Sequence, residues 1–159
     1  MELIRRDTGY GLRALLHMAT HPETEAFTAT ELADAADTTE DFMHKIMRAL
    51  RDGGIVTSRR GPSGGFAFAH KPEEISLLEV VTAVQGPLQV NRCVMGLGIC
   101  ERSDCCPLRP TWMRVQHELE AGLGAATLAS IAARAVPSET CNEDHASPQG
   151  DNDDNEASA

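Results

Sequence analysis

The chain predicts a mainly α-helical fold with one small β-hairpin wing: a winged helix-turn-helix followed by a long dimerisation helix. Three observations carry this prediction. Apolar residues recur at helical spacing through the first fifty positions, a hairpin with a Gly/Pro/Ser tip follows directly, and a long apolar-striped segment begins near residue 107.

Each element has its own local signal. In TGYGLRALLHMAT, residues 8–20, Tyr10, Leu12, Leu15, Leu16 and Ala19 recur at helical spacing, and Pro22 interrupts the pattern. TATELADAAD reads as a short helix, with Thr28 and Glu31 at capping-box spacing and Leu32, Ala33 and Ala36 as its apolar side. After the turn DTT comes EDFMHKIMRALRDGG, where Phe42, Ile46, Ala49 and Leu50 fall at i, i+4, i+7 and i+8. Gly53 and Gly54 offer a left-handed stop.

Ile55, Val56, Phe66 and Phe68 then flank the loop GPSGG, which predicts the hairpin. ISLLEVVTAVQG is a further helix capped by Ser76. A long helix runs from about Pro107 or Pro110 through Leu123, and ATLASIAARAV adds a short last one. In the long helix Trp112, Val115, Leu119 and Leu123 stand at near-heptad spacing, which suits packing against a second copy of itself.

Bulk properties bound the function. At 159 residues the chain is one domain with an appendage, and no run approaches the ~18 apolar residues of a membrane span. Charges at Glu2, Arg5, Arg6 and Asp7 break up any signal-type apolar core, so the expected location is the cytoplasm, where thiols stay reduced. The net charge of −10 is uneven. From Ser138 onward there are seven acids, no Lys or Arg, and no aliphatic residue larger than Ala. Such a segment reads as a disordered acidic tail, and the remainder, with 17 acids against 14 bases, is close to neutral. The expected organisation is a DNA-binding domain at 1–90, a cysteine-rich loop at 91–106, dimerisation helices at 107–136 and the tail at 137–159.

Two groups of residues carry chemistry. Asp41, His44, Lys45 and Arg48 form a polar stripe on the third helix, of a kind that can enter a major groove and meet base edges. Arg59 and Arg60 open the hairpin tip RRGPSGG, where guanidinium groups can reach phosphate or a narrow minor groove. Arg5, Arg6 and Arg13 are further candidates for phosphate contacts. The second group is CVMGLGICERSDCC, which places Cys93, Cys100, Cys105 and Cys106 within fourteen positions. The paired CxxC knuckles of structural zinc are missing, and widely spaced thiols suit a larger iron–sulfur core. Adjacent Cys105 and Cys106 do not easily face one metal together. His17, His21, His70 and His145 are scattered and read as surface or core residues, and Cys141 as a free thiol.

GYGLRALLHMA, LRDGGIVTSRRGPSGGFAFA, ISLLEVVTAVQG and the loop running into CPLRPTW together resemble the small iron–sulfur winged-helix transcriptional regulators, the family of IscR, NsrR and RirA. The resemblance covers roughly residues 1–135. It implies a homodimeric repressor on a near-palindromic operator, with a cluster, 4Fe–4S in preference to 2Fe–2S, held by Cys93, Cys100 and Cys106. Base-reading positions carried over are Asp41, His44 and Lys45, with Arg60 on the wing. One departure matters: where cluster-assembly members place a histidine, this chain has Arg109, which stays protonated and cannot ligate iron. The fourth ligand is open between Asp7, close to the N-terminal carboxylate that other members lend across the dimer, and Cys105, with Glu101, Asp104 and His117 behind them. The alternative is a metal-free or zinc-stabilised repressor. An enzyme finds no support, since the chain lacks a nucleotide-binding glycine loop and a Ser/His/Asp arrangement.

Overall fold

The computed structural model describes residues 3–59, 61, 64–88 and 106–134. Three of the clustered cysteines (Cys93, Cys100 and Cys105), Arg60 and the expected acidic tail lie outside the described residues.

The elements follow in the order α1 (Arg6–Thr20), α2 (Ala29–Ala36), α3 (Glu40–Asp52), β1 (Val56–Arg59), β2 (Gly65–Phe68), α4 (Leu77–Gln85), α5 (Arg109–Ala125) and α6 (Leu128–Ala132). Local chemistry sets most of their ends. Thr28 and Ser76 close reciprocal capping boxes with Glu31 and Glu79, each satisfying backbone N–H groups that a helix start leaves without partners. Thr127 and Ser130 do the same for α6. At the end of α3 the left-handed residue is Gly54, at φ 77°, whereas Gly53 keeps helical angles. Gly53 has a different reason to be glycine: a Cβ there would stand 2.6 Å from the Ala83 Cβ on α4.

Helices α1, α2, α3 and α4 enclose one core. Leu15, Leu32, Met43, Met47, Leu50 and Val80 are fully buried in it, each stabilising the fold by roughly 1.5–3 kcal/mol through loss of apolar surface to water. On α3 the inward stripe is Met43, Ile46, Met47 and Leu50; Ile46 and Leu50 are as expected, while Met43 and Met47 are buried and the expected Phe42 and Ala49 only half-buried. Phe42 is half-buried and meets the ring of Tyr10 edge-on at 5.9 Å.

The hairpin pairs Val56 with Phe68 and Arg59 with Gly65 in antiparallel register. Phe27, in the α1–α2 connection, adds a third edge by exchanging hydrogen bonds with Phe66 at 2.9 and 2.8 Å. Gly65 makes this approach feasible, since a Cβ there would lie 2.4 Å from the Phe27 carbonyl oxygen. A bridge between Ser76 and Thr127 returns the segment after α5 to this unit, and Leu128 of α6 is fully buried in the same core. Helix α5 is unlike the rest: none of its residues is buried, and Trp112, Met113 and Val115 are exposed, as is Leu108 at its N-cap. Among the described residues no helix is long and apolar enough to cross a membrane.

Candidate nucleic-acid interface and the arms of the cysteine loop

Burial of Met43, Ile46, Met47 and Leu50 fixes the rotation of α3 and so turns Asp41, His44, Lys45 and Arg48 outward together. Lys45 and Arg48 form no ion pair among the described residues. His44 is restrained on two sides: its Nε2 lies 3.6 Å from Glu40 Oε1, and its ring meets the edge of Phe66 on β2 at 6.1 Å. The outward stripe of α3 therefore meets the wing at His44.

An open groove separates them, lined by Thr28 and Thr30 of α2, Glu40 and His44 of α3, and Ser58, Arg59 and glycines of the wing. Thr30 donates to Glu40 at 2.9 Å, which holds that carboxylate beside His44. Arg59 reaches back to Glu25 at 3.2 Å. Both members of that ion pair are solvent-exposed, so it is worth little. Sequence reasoning missed Glu25, Thr30 and Glu40, because their roles come from neighbours distant in the chain. Of the other expected arginines, Arg5 pairs with Asp7 at 3.2 Å, and the Arg13 guanidinium stacks over Tyr10 at 4.8 Å.

At the other end of the domain, Gln85 gathers the chain start onto the end of α4. Its Oε1 accepts from the Arg5 N–H at 2.9 Å and from the buried Thr8 hydroxyl at 2.8 Å, while its Nε2 donates to the Leu3 carbonyl. Asp7 accepts from the Thr8 N–H at 2.9 Å, so both of its oxygens have neighbours within this cluster. Three residues past Gln85, the Leu88 carbonyl accepts from Gln116 of α5 at 2.8 Å. Cys106 is half-buried in no disulfide, and its carbonyl accepts from the Arg109 N–H that begins α5. The two arms of the cysteine segment, at Leu88 and Cys106, are thus both tied to α5. Among the described residues no three His, Cys, Asp or Glu side chains gather as a metal site.

The shifted ionisations are few. The Glu31 carboxyl is held below its ordinary value by the Thr28 backbone N–H and then by the Thr28 hydroxyl, and Glu79 is lowered by the Ser76 hydroxyl and backbone. Burial lowers His17, and the neighbouring His21 adds to the effect.

A helix-turn-helix with a basic outward stripe, backed by an arginine-bearing hairpin, defines a winged-helix DNA-binding protein. Residues 4–134 match the family model Rrf2, described as an iron-dependent transcriptional regulator, and the chain belongs to the Rrf2 family of transcriptional regulators. It is 30% identical to Protein rrf2 of Nitratidesulfovibrio vulgaris over 135 residues, covering 84% of this chain and 90% of that one. It is 27% identical to the HTH-type transcriptional regulator IscR of Klebsiella pneumoniae over 122 residues, covering 77% and 74%. Among solved structures it resembles CymR, the global cysteine regulator of B. subtilis, with a TM-score of 0.67, 23% identity and coverage of 86% and 100%. T. potens IscR gives a TM-score of 0.64 at 22% identity, covering 84% and 88%. The winged-helix expectation is borne out, as is the expectation of a regulator rather than an enzyme.

Proposed function

We propose that the protein is a cytoplasmic, homodimeric repressor that binds a near-palindromic operator, and that its affinity depends on an iron–sulfur cluster. Cys93, Cys100 and Cys106 hold the cluster, 4Fe–4S in preference to 2Fe–2S, with Asp7 or Cys105 as the fourth ligand. Asp41, His44, Lys45 and Arg48 face the major groove, and Arg59 and Arg60 contact backbone or minor groove from the wing.

The observation that carries the reading is the tethering of both loop arms to α5. Gln116 holds Leu88 and Cys106 leads straight into the helix start, so a change in the loop is felt where two protomers would pack. The donor set fits the group: thiolates are the usual iron–sulfur ligands, and Cys106 is half-buried rather than free in solvent. When bound, the cluster supplies a centre that reacts with NO or O2. The chain's own part is to translate loop geometry into the spacing of two α3 helices, ~34 Å apart on successive major grooves. Asp7 is shared with Arg5 and the Thr8 N–H, so service as a ligand requires it to leave those contacts. The family description as iron-dependent supports this reading over a zinc-braced or metal-free repressor.

Iron and acid-labile sulfide counts on anaerobically purified protein test it. The expected result is a coloured protein with both elements bound, bleached by Cys93→Ala, Cys100→Ala or Cys106→Ala and unaffected by Cys141→Ala. Colourless protein carrying zinc would overturn the cluster and leave the DNA interface standing.

A further inference from the structure

Helix α1 ends with two imidazoles one turn apart. His17 lies in its last turn and His21 is its C-cap, with ring centroids 4.3 Å apart and planes tilted by 41°. His21 Nδ1 lies 2.8 Å from the His17 carbonyl oxygen and 3.3 Å from the Thr20 hydroxyl. A carbonyl only accepts, so Nδ1 carries the proton in that contact, and Nε2 is the nitrogen that offers a lone pair in the neutral ring. A backbone carbonyl on one ring nitrogen is the arrangement that fixes tautomer and aim in metal-binding histidines. His17 is held differently, against the edge of the Phe27 ring at 5.6 Å. Neither of its ring nitrogens has a hydrogen-bond partner among the described residues.

We propose that His17 and His21 form a two-imidazole site for a divalent transition-metal ion of the nickel or copper(II) class. Metal–nitrogen bonds of about 2.0–2.1 Å put imidazole centroids about 4.5 Å apart on adjacent octahedral or square positions, and about 5 Å apart on tetrahedral ones. The separation of 4.3 Å matches the first geometry. Water fills the remaining positions, since Glu31, the carboxylate that acts electrostatically on His17, is engaged by Thr28 at 2.7 and 2.8 Å. The site has a route to the DNA interface: His17 abuts Phe27, and Phe27 is hydrogen-bonded both ways to Phe66, the residue against His44. An ion that fixes His17 braces the root of the wing. None of this depends on the cysteine loop.

The test is a titration of untagged, full-length protein with Ni2+ alone, followed by two-dimensional NMR. The expected result is selective broadening of His17, His21 and Phe27 signals. His17→Gln and His21→Gln should each weaken the Ni2+ affinity read from those signals at least ~10-fold, and His70→Gln should leave it unchanged. Matching thermal midpoints in chelator establish that the variants are folded. Broadening confined to the cysteines or to His145, or equal affinity in the His17 and His21 variants, would overturn the site. Because wild type alone can give the first of those outcomes, a misfolded variant does not rescue the proposal.

Discussion

The winged unit and helix α5 are built on opposite terms. In the first, residues far apart in sequence, from Leu15 on α1 to Leu128 on α6, are buried in one core. In the second, seventeen residues form a helix with no buried member and with Trp112, Met113 and Val115 turned to solvent. A helix gains most of its stability from packing an apolar face rather than from propensity. The difference teaches that the winged unit closes its core within one chain, whereas α5 lies on α4 and leaves Trp112, Met113 and Val115 exposed, the face that the proposed dimer would cover. Chain order hides this, because α6 follows α5 yet returns to the winged core through Leu128.

Substitutions in the two regions should separate cleanly. Leu50→Ala, at a fully buried site on α3, should lower unfolding free energy by about 2–5 kcal/mol in denaturant titrations. The effect should be independent of protein concentration. Gly65→Ala forces a Cβ to within 2.4 Å of the Phe27 carbonyl oxygen. It should cost about 1–3 kcal/mol and detach the wing from Phe27, seen as faster amide exchange at Phe27 and Phe66.

Ser76→Ala removes one capping box and should cost about 1 kcal/mol near neutral pH. Its pH dependence has a definite sign. Ser76 holds the folded Glu79 carboxyl below its ordinary value of 4.5. That stabilisation is present above the ordinary value and is lost as pH falls through the lowered one. Wild type and variant should therefore converge in stability on the acid side. Val115→Ser on α5 should change the stability of the dilute protein by less than about 0.5 kcal/mol. It should nevertheless weaken self-association in analytical ultracentrifugation. A large concentration-independent loss would show that α5 is packed within its own chain.

What was legible in the sequence follows the range of the forces involved. The box at Thr28–Glu31 acts over three residues, so its spacing locates the start of α2, and the cap residue Ser76 alone locates that of α4, its partner Glu79 emerging only in the structure. The polar stripe of α3 was equally readable, since Asp41, His44, Lys45 and Arg48 are all exposed. Its inner face is half legible: Ile46 and Leu50 are buried as periodicity expects, but Met43 and Met47 fill the core in place of Phe42 and Ala49. The Phe27–Phe66 bridge, the Arg59–Glu25 pair and the burial of Leu128 join residues more than thirty positions apart, and nothing local announces them. His17 and His21 had the i, i+4 spacing that could have joined them, yet read as scattered until the end of α1 brought their rings together. Of the proposed ligands, Asp7 and Cys106 lie among the described residues, and the structure gives each its own hydrogen-bonded neighbours.

The central claim is that the state of the cysteine loop is felt at α3 and the wing. Its most direct test is the affinity of one anaerobic protein sample for one DNA site, selected from random sequence by that sample, before and after NO treatment. Coupling between distinct sites of this kind changes affinity by roughly 5- to 150-fold, and a shift in that range is the expected result. Equal affinity in both states, from protein shown to carry iron and sulfide at the start, would contradict it.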